Sequence, residues 1–355
     1  MESFVFQGLP ARVVFGPGSL ASLSVELERL GMQRALILTT PEQQAMGEDI
    51  ARRIGAHAAG VFPGAVMHVP KDVAEQACEY ARSVQADGCI AIGGGSTIGL
   101  AKAVALAARL PIVAIPTTYA GSEMTSIWGM TENGVKVTGR DAIVQPRTVI
   151  YEPALTYTLP AELTACSGMN AMAHALEALY AADTNPIISL MAIESVRALA
   201  KALPRLAQDI ADAQARADAL YGAWLAGVSL ASTTMALHHK LCHTLGGSFN
   251  LPHAQSHAIV LPYTMQFNAS SAAMALAPAA QALGGQHAED IGRLLFDLNR
   301  RLGITSTLGD IGFPEDGPAR AAQIACANPY KNPRTFTEGY LRTLLEHARA
   351  GRPPA

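Results

Sequence analysis

The chain has 355 residues, of which half are hydrophobic and 15% are charged, with a formal net charge of -3. This length suffices for two domains with separate cores. The absence of a basic patch argues against nucleic-acid binding, and no apolar run reaches the roughly 20 residues that span a membrane. Five scattered cysteines without CxxC spacing, and no secretory signal, predict a cytoplasmic protein.

Short β-rich runs alternate with helical stretches in the first half, from Arg12 to about Tyr151. The runs are RVVFG, ALILTT, GCIAIGGGS and PIVAIPTT, with ENGVKVTG and TVIYEP as further strands. Alternation of this kind predicts a parallel sheet with crossover helices. We therefore predict a Rossmann-like α/β domain over residues 1–158.

The pattern changes after LPAEL, where alanine- and leucine-rich stretches follow and β-branched runs almost vanish. This composition predicts an all-α domain over residues 159–355, with the active site in the cleft between the two domains. The predicted helices fall near 161–181, 186–203, 210–231, 233–247, 254–269, 287–302 and 334–348.

A glycine-rich turn joins a strand to a helix in IAIGGGSTIGLAK. Gly94 and Gly95 allow a ligand to approach the backbone closely, and Ser96 and Thr97 open the helix. Free N–H groups and the helix dipole favour a pyrophosphate there. The stretch matches neither GxGxxG nor a Walker loop, so a purely structural turn is an equal alternative.

A second loop, IPTTYAGSEMT, follows a buried strand and carries Thr117, Thr118 and Ser122. The ends of parallel strands are where nucleotides bind, although these hydroxyls could simply cap turns and helices. Together with the turn at GPGSL, the loops favour a bound nucleotide.

Asn170 and His174 lie one helical turn apart in SGMNAMAHALEALYA, a spacing that presents two ligands to one metal ion. The first is an amide and not a carboxylate. The pair therefore fits a metal site, a former metal site or an ordinary helix.

More histidines follow in ALHHKLCHTLGGSFNLPHAQSHAIVLP. His239 and His243 share a helix face, His253 follows a turn and could fold back to them, and His238 points roughly 100° away from His239. A single histidine on an apolar helix is usually a hydrogen-bonded core residue, and we assign His257 to that class. Burying so many imidazoles without partners would cost about 1–3 kcal/mol each, so chemistry is favoured over packing.

These motifs resemble the iron-containing (group III) alcohol dehydrogenases, and more closely their maleylacetate reductase branch. The resemblance rests on GGGSTIGLAK, PTTYAGSE, GMNAMAHALEALYA and the histidine block, and runs from about Val13 to the last helix. It implies a dehydroquinate synthase-like fold, with an α/β nucleotide-binding domain followed by an all-α domain. It also implies a homodimer, with the first strand around ESFVFQG as a candidate interface.

The resemblance also implies a site. In metal-dependent members the positions of Asn170, His174, His239 and His253 hold the metal, the first as aspartate. Three neutral imidazoles could still hold zinc. The maleylacetate reductases, however, are similar in having asparagine there and working without metal, so we predict a metal-free, histidine-lined pocket in which Asn170 contacts substrate.

The implied reaction is the reduction of the C2=C3 bond of maleylacetate, or of a chlorinated analogue, to 3-oxoadipate by NADH or NADPH in aromatic-compound degradation. Hydride adds at C2, negative charge develops on the ketone oxygen, and a proton must reach C3. Imidazole donors can supply the oxyanion contact and the proton. We assign His243 and His253 to the reaction centre, whereas His174, His238 and His239 line the pocket.

The substrate is a dianion, and Lys240, Lys331 or Arg334 are candidates to bind its carboxylates, although such charges are more often solvated. Lys136 matches a family position near the cofactor. NAD-specific relatives carry an aspartate near the end of ALILTT, where this chain has Thr39 and Thr40. Without that acid, NADPH should be accepted alongside NADH.

Three rival functions remain. The nearest is an iron- or zinc-dependent alcohol dehydrogenase for small alcohols and aldehydes, with Asn170 as a weak ligand. The others are a lyase of the dehydroquinate synthase fold and a non-catalytic nucleotide-binding protein. The sequence does not indicate which aromatic pathway supplies the substrate.

Overall fold

The structure is a computed structural model that describes Gly8, residues 12–132 and residues 135–354, without the side chains of Val135 and Lys136. The predicted cofactor contact of Lys136 and the predicted interface strand ESFVFQG therefore lie outside the described residues. The chain forms two compact units, one over Gly8–Leu159 and one that includes Pro160–Ala355.

The first unit is built on a six-stranded parallel sheet. Its strands are β1 (Arg12–Phe15), β2 (Ala35–Leu38), β3 (Ala58–Phe62), β4 (Gly88–Gly93), β5 (Ile112–Pro116) and β8 (Thr148–Tyr151), in the order β1-β8-β5-β4-β2-β3 across the sheet. The four central strands are buried and rich in β-branched residues, as expected where helices cover both faces, whereas the edge strands β1 and β3 are partly exposed. The helices are α1 (Leu23–Arg29), α2 (Gln44–Ile54), α3 (Lys71–Ser83) and α4 (Gly95–Ala108).

The predicted strand ENGVKVTG does not join the parallel sheet. It forms β7 (Val135–Arg140), which pairs antiparallel with β6 (Ile127–Glu132) in a separate two-stranded sheet. The short connection explains the difference, because a parallel pairing requires a crossover of a dozen or more residues.

The second unit is helical throughout its described secondary structure, so the predicted order of an α/β domain followed by an all-α domain is confirmed. α5 is its central helix, and every residue from Thr164 to Leu179 is buried. The helices are α5 (Ala161–Leu179), α6 (Pro186–Gln208), α7 (Ala213–Ser232), α8 (Leu237–Phe249), α9 (His253–Asn268), α10 (Ala273–Ala282), α11 (Ile291–Arg301), α12 (Gly317–Ala327) and α13 (Glu338–Ala350).

The sequence did not predict α12, because its Gly317–Pro318 start suggests a loop. Proline is nevertheless well tolerated in the first turn of a helix, where its missing N–H has no intrahelical partner. Among the described residues, no single helix is long and apolar enough to cross a membrane. Taken together, α7 and α8 have the length and apolar composition of a membrane span, but the chain bends by 94° between them.

Close packing of α5 against α6 depends on Gly168. A Cβ at this position would lie 2.4 Å from Cδ2 and 2.8 Å from Cδ1 of Leu203, which is itself buried. The absence of a side chain therefore sets how closely α6 approaches the helix that carries Asn170 and His174.

We expect Gly168→Ala to destabilise the second unit although alanine is the better helix former. Overpacking a dense core costs about 1–3 kcal/mol, which outweighs a gain of about 1 kcal/mol in helix propensity. The matched control is Gly247→Ala in α8, where an added Cβ meets nothing within 4 Å. Urea unfolding should show opposite signs for the two variants, and equal stabilisation would contradict this account of the α5–α6 contact.

Candidate active site

Three polar side chains on one face of α5 define the site. Asn170, His174 and Glu177 follow one another at intervals of four and three residues, so they lie along the same side of the helix. They are 4%, 3% and 0% exposed, respectively. Buried polar groups in an otherwise apolar helix require partners, and the partners identify the neighbouring elements of the site.

Glu177 caps α8 from a different helix. Its carboxylate accepts hydrogen bonds from the backbone N–H groups of Ala236 (2.9 Å), His238 (2.7 Å) and His239 (3.3 Å). The first N–H groups of a helix have no intrahelical partner, and α8 has no side-chain cap of its own. A buried anion at the positive end of the helix dipole supplies one. The cap joins α5, which carries His174, to α8, which carries His238, His239 and His243.

The same carboxylate holds the ring of His239, with Nδ1 lying 2.7 Å from Glu177 Oε2. An ionised carboxylate only accepts hydrogen bonds, so Nδ1 of His239 carries a proton. Burial alone would raise the pKa of Glu177, but the hydrogen bond and charge of His239, aided by His238 and the N–H of Ala236, lower it below its ordinary value. Glu177 is therefore an anion within the site.

The structure brings six of the ten histidines into one cluster. The His174 and His239 rings are stacked at 5.0 Å between centroids, and His257 lies 4.9 Å from His239 and 6.2 Å from His174. The remaining centroid distances are His253–His257 4.3 Å, His238–His257 4.8 Å, His238–His239 5.4 Å and His239–His243 6.0 Å. The His253 ring contacts that of His257, one turn along the same helix α9, and His257 in turn lies against His239.

The cluster has an exposed layer and a buried layer. His243 and His253 are exposed, whereas His174, His238, His239 and His257 are at most 3% exposed. In the exposed layer, Nδ1 of His243 lies 3.2 Å from the hydroxyl of Tyr330. Lys240 Nζ lies 5.3 Å from the centre of the same tyrosine ring. The exposed layer therefore combines imidazole, phenol and ammonium groups, a set suited to an anionic ligand.

Two residues of the site were not found from sequence. Glu177 could have been predicted from sequence, because an acidic residue three positions after His174 in an apolar helix must be buried with a partner. No sequence pattern indicated Tyr330. It lies far along the chain from the histidines, in NPYKNPR, where the prediction named only the cationic residues. One of those, Lys331, lines a different cavity of about 680 Å³ with Tyr180, Ser270 and Asn332.

His238 differs from its predicted role. It was expected to line the pocket and bind substrate oxygens, but its ring is fully buried and both nitrogens have partners, Thr264 Oγ1 and His257 Nδ1, each at 3.0 Å. His257 was expected to be an ordinary hydrogen-bonded core histidine, and only its Nδ1 satisfies that description. Burial lowers the pKa of His238 to about 3 and lowers that of His257 well below its ordinary value.

Four buried polar atoms of the cluster have no hydrogen-bond partner in the described part of the chain. They are Asn170 Oδ1, His174 Nδ1, His239 Nε2 and His257 Nε2. Such atoms are uncommon in a folded core and mark a place where a ligand or water completes the site. Glu177 cannot add its charge to a metal site at these positions, because its carboxylate is occupied by His239 and the α8 backbone. These atoms are three imidazole nitrogens and one amide oxygen, a set that fits a three-imidazole zinc site and contains no carboxylate.

The glycine turn predicted to bind a phosphate lies in the first unit, where β4 meets α4. A Cβ at Gly93 would lie 2.4 Å from Thr97 Oγ1, and one at Gly94 would lie 2.9 Å from Thr118 Cγ2, so both positions require glycine. Gly94 occupies the N-cap position of α4 and has no side chain, so no side chain caps the start of this helix. The first N–H groups of α4, from Gly95 onward, are therefore oriented for an anion.

The other predicted cofactor residues lie around this turn. Gln43, which the sequence did not single out, donates through Nε2 to Thr117 Oγ1 at 3.1 Å and links the start of α2 to the end of β5. Thr97 is fully buried, whereas Ser96, Thr118 and Ser122 are partly accessible.

Thr39 differs from its predicted role as a cofactor contact. Its side chain is fully buried beside Gly47, so the neighbouring half-buried Thr40 is the position open to a ribose.

Comparison with known proteins agrees with this geometry. Residues 10–153 match the iron-containing alcohol dehydrogenase family, and residues 164–349 match the C-terminal part of that family. Maleylacetate reductases from Burkholderia cepacia and Sphingobium indicum are 53% and 52% identical, covering 100% and 99% of both chains. The crystal structure of maleylacetate reductase from Agrobacterium tumefaciens is 49% identical, with a TM-score of 0.96 over 100% of both chains. This chain belongs to the iron-containing alcohol dehydrogenase family, and its predicted resemblance to the maleylacetate reductase branch is confirmed over the full length.

Proposed function

We propose that this protein reduces the C2=C3 double bond of maleylacetate to 3-oxoadipate with NADH or NADPH, and that it does so without a metal ion. Full-length likeness to maleylacetate reductases supports the predicted enzyme class, an oxidoreductase, and favours this reaction over a metal-dependent alcohol dehydrogenase. The observation that carries the mechanism is the buried pair of Glu177 and His239, in a cluster where residue 170 is a neutral asparagine.

The reaction requires stabilisation of one developing charge. Hydride from the nicotinamide adds to C2, the carbon β to the 4-keto group, and the electron pair of the double bond moves towards the ketone. The resulting enolate carries its charge on oxygen until C3 is protonated. Because the charge develops only during reaction, a hydrogen-bond donor fixed at that oxygen lowers the barrier.

His239 can supply that donor. Glu177 is a buried anion, and a buried charge is tolerated when it is paired and hydrogen-bonded. The carboxylate lies 2.7 Å from Nδ1 of His239, and we propose that this nearby negative charge supports a second proton on the ring, at Nε2. That Nε2, which is free of protein partners, then donates to the enolate oxygen. One such contact contributes about 2.7–4 kcal/mol in known oxyanion sites. A protonated His239 therefore supplies part of the enolate stabilisation that a metal ion would supply as a Lewis acid.

The exposed layer provides the remaining groups. His243 and His253 can deliver a proton to C3, since both are accessible and lie at the edge of the buried rings. Lys240 beside Tyr330 is suited to a substrate carboxylate, and Asn170 can donate or accept through its amide. His174 lies against His239 and completes the wall of the pocket.

The cofactor belongs to the glycine turn of the first unit. Members of this family are NAD(P)-dependent oxidoreductases, and the open N-terminus of α4 fits a pyrophosphate. A cytoplasmic location and a homodimer remain proposals.

The first test is NADH oxidation followed at its absorbance band with purified protein and maleylacetate, with and without EDTA. We expect turnover that depends on maleylacetate and is unchanged by EDTA, with elemental analysis showing no stoichiometric metal. Activity lost on chelation and restored by iron or zinc would contradict a metal-free site. Consumption of maleylacetate without NADH oxidation would instead indicate a lyase.

Glu177→Gln should lower kcat by about 100- to 1,000-fold, the range for loss of one oxyanion donor, with a smaller change in KM. It should also lower the free energy of unfolding near neutral pH by about 1–3 kcal/mol, since an amide turns an N–H towards donors. The folded-state pKa of Glu177 is lowered, so its contribution is present above the ordinary value of 4.5 and is lost as pH falls below it.

The stability difference between Glu177→Gln and wild type should therefore shrink in acid. The control is Glu194→Gln, which removes an exposed pair with Arg197 and should change stability by less than about 1 kcal/mol without affecting kcat. Equal kcat in wild type and Glu177→Gln would show that the Glu177–His239 pair does not contribute to catalysis.

Cofactor choice can be tested at Thr40, which follows β2 and is half-buried. Thr40→Asp should lower kcat/KM for NADPH roughly tenfold more than for NADH, because a carboxylate repels a 2′-phosphate. Thr40→Asn is the neutral control of the same size and should leave the ratio near that of wild type. A wild-type enzyme that already prefers NADH strongly would contradict the prediction of dual use.

A further inference from the structure

A chain of hydrogen bonds runs behind the histidine cluster. It joins Thr264 Oγ1 to His238 Nδ1 at 3.0 Å, and His238 Nε2 to His257 Nδ1 at 3.0 Å. All three side chains are fully buried. At the far end, Nε2 of His257 has no hydrogen-bond partner among the described residues. A buried chain that ends on a free ring nitrogen determines whether that nitrogen is a donor or an acceptor.

The direction of the chain follows from Thr264. Its hydroxyl oxygen lies 3.1 Å from the carbonyl oxygen of Leu261 and 3.3 Å from that of Val260. Carbonyl oxygens only accept, so the single hydroxyl hydrogen of Thr264 is directed towards them. The hydroxyl oxygen then accepts from His238, whose Nδ1 must carry the proton.

The remaining protons follow in order. With its proton on Nδ1, neutral His238 has a lone pair on Nε2, and His257 must donate to that lone pair from its own Nδ1. The thiol of Cys242, 3.7 Å from the same nitrogen, is a second potential donor. Burial raises the pKa of Cys242 well above its ordinary value, so the thiol keeps its hydrogen. Both neighbours of His238 Nε2 are therefore donors, and Nε2 of His257 is left as a lone pair.

We propose that Thr264 and His238 act together to lock His257 as a hydrogen-bond acceptor, so that its unpartnered Nε2 presents a lone pair to the site and makes His257 a positioning residue. The nearest rings are those of His253 and His239, at 4.3 Å and 4.9 Å between centroids. Neither ring hydrogen-bonds that nitrogen, so its lone pair is available to a donor on bound water or a ligand. This function rests on the proposed reduction, in which His239 and His253 act beside His257.

The alternative use of the same atoms is a metal site. His238, Cys242 and His257 place their potential ligand atoms within 4.8 Å of one another. A metal would need the lone pairs of both ring nitrogens and a thiolate, and would replace the proton shared between the rings. The two arrangements exclude each other, so one set of measurements separates them.

The test is selective 15N-histidine labelling of the full-length protein, with long-range 1H–15N correlation to assign ring tautomers. His238→Asn and His257→Asn identify the two resonances. We expect both rings to be neutral with the proton on Nδ1. A wild-type His257 with its proton on Nε2 would overturn the proposal. This readout needs no maleylacetate, so it remains decisive if the proposed reaction fails.

A matched pair of variants tests the consequence. Thr264→Val is nearly isosteric but removes the acceptor, so Nε2-protonated His257 should appear and kcat should fall roughly tenfold or more, as for other partners that orient a catalytic or ligating histidine. Thr264→Ser keeps the hydroxyl and should retain the wild-type tautomers and most of kcat. Unchanged tautomers and kcat in Thr264→Val would count against the lock.

Metal binding is the remaining readout. Titration of wild-type protein with Co²⁺ alone should give no thiolate-to-cobalt charge-transfer band. Such a band, if abolished by Cys242→Ser, would show that the triad is a metal site and would overturn the assignment of His257 as an acceptor.

Discussion

The buried carboxylate of Glu177 is the interaction on which the site depends. It caps α8, fixes the Nδ1 proton of His239 and places one negative charge beside the histidine rings. Although α5 and α8 are far apart in sequence, this side chain joins them by hydrogen bonds. In the proposed mechanism stability and chemistry share one group, because the anion that satisfies the helix end is also the counter-charge of a protonated His239.

The distribution of charge in the cluster underlies the proposal of metal-free chemistry. Asn170 offers a neutral amide and no negative charge to a divalent cation. The buried anion of the cluster is Glu177, which contacts Nδ1 of His239 and the α8 backbone. In the proposed mechanism this anion pairs with an imidazolium at His239 and not with a metal ion.

The sequence predicted the features of the fold and the site that depend on local patterns. Strand and helix alternation, the glycine turn and the i,i+4 pairs Asn170–His174 and His239–His243 are local patterns whose geometry follows from backbone periodicity. The hairpin of β6 and β7 was not predicted, because local sequence does not determine which strand another strand pairs with. Thr39 and Thr40 look equivalent in sequence, and only burial shows that Thr40 is the accessible one.

The sequence by itself determined the fold class, through composition and periodicity, and the residue types available for chemistry; the family followed from the resemblance of its motifs. The tertiary structure decided which histidines are exposed, which nitrogens are free and what holds them. His238 and His239 are adjacent in the chain, yet one bonds Thr264 and His257 in the core while the other faces Glu177. Their roles differ because hydrogen-bond partners come from other helices, and contacts between helices are set by packing, which no local pattern encodes.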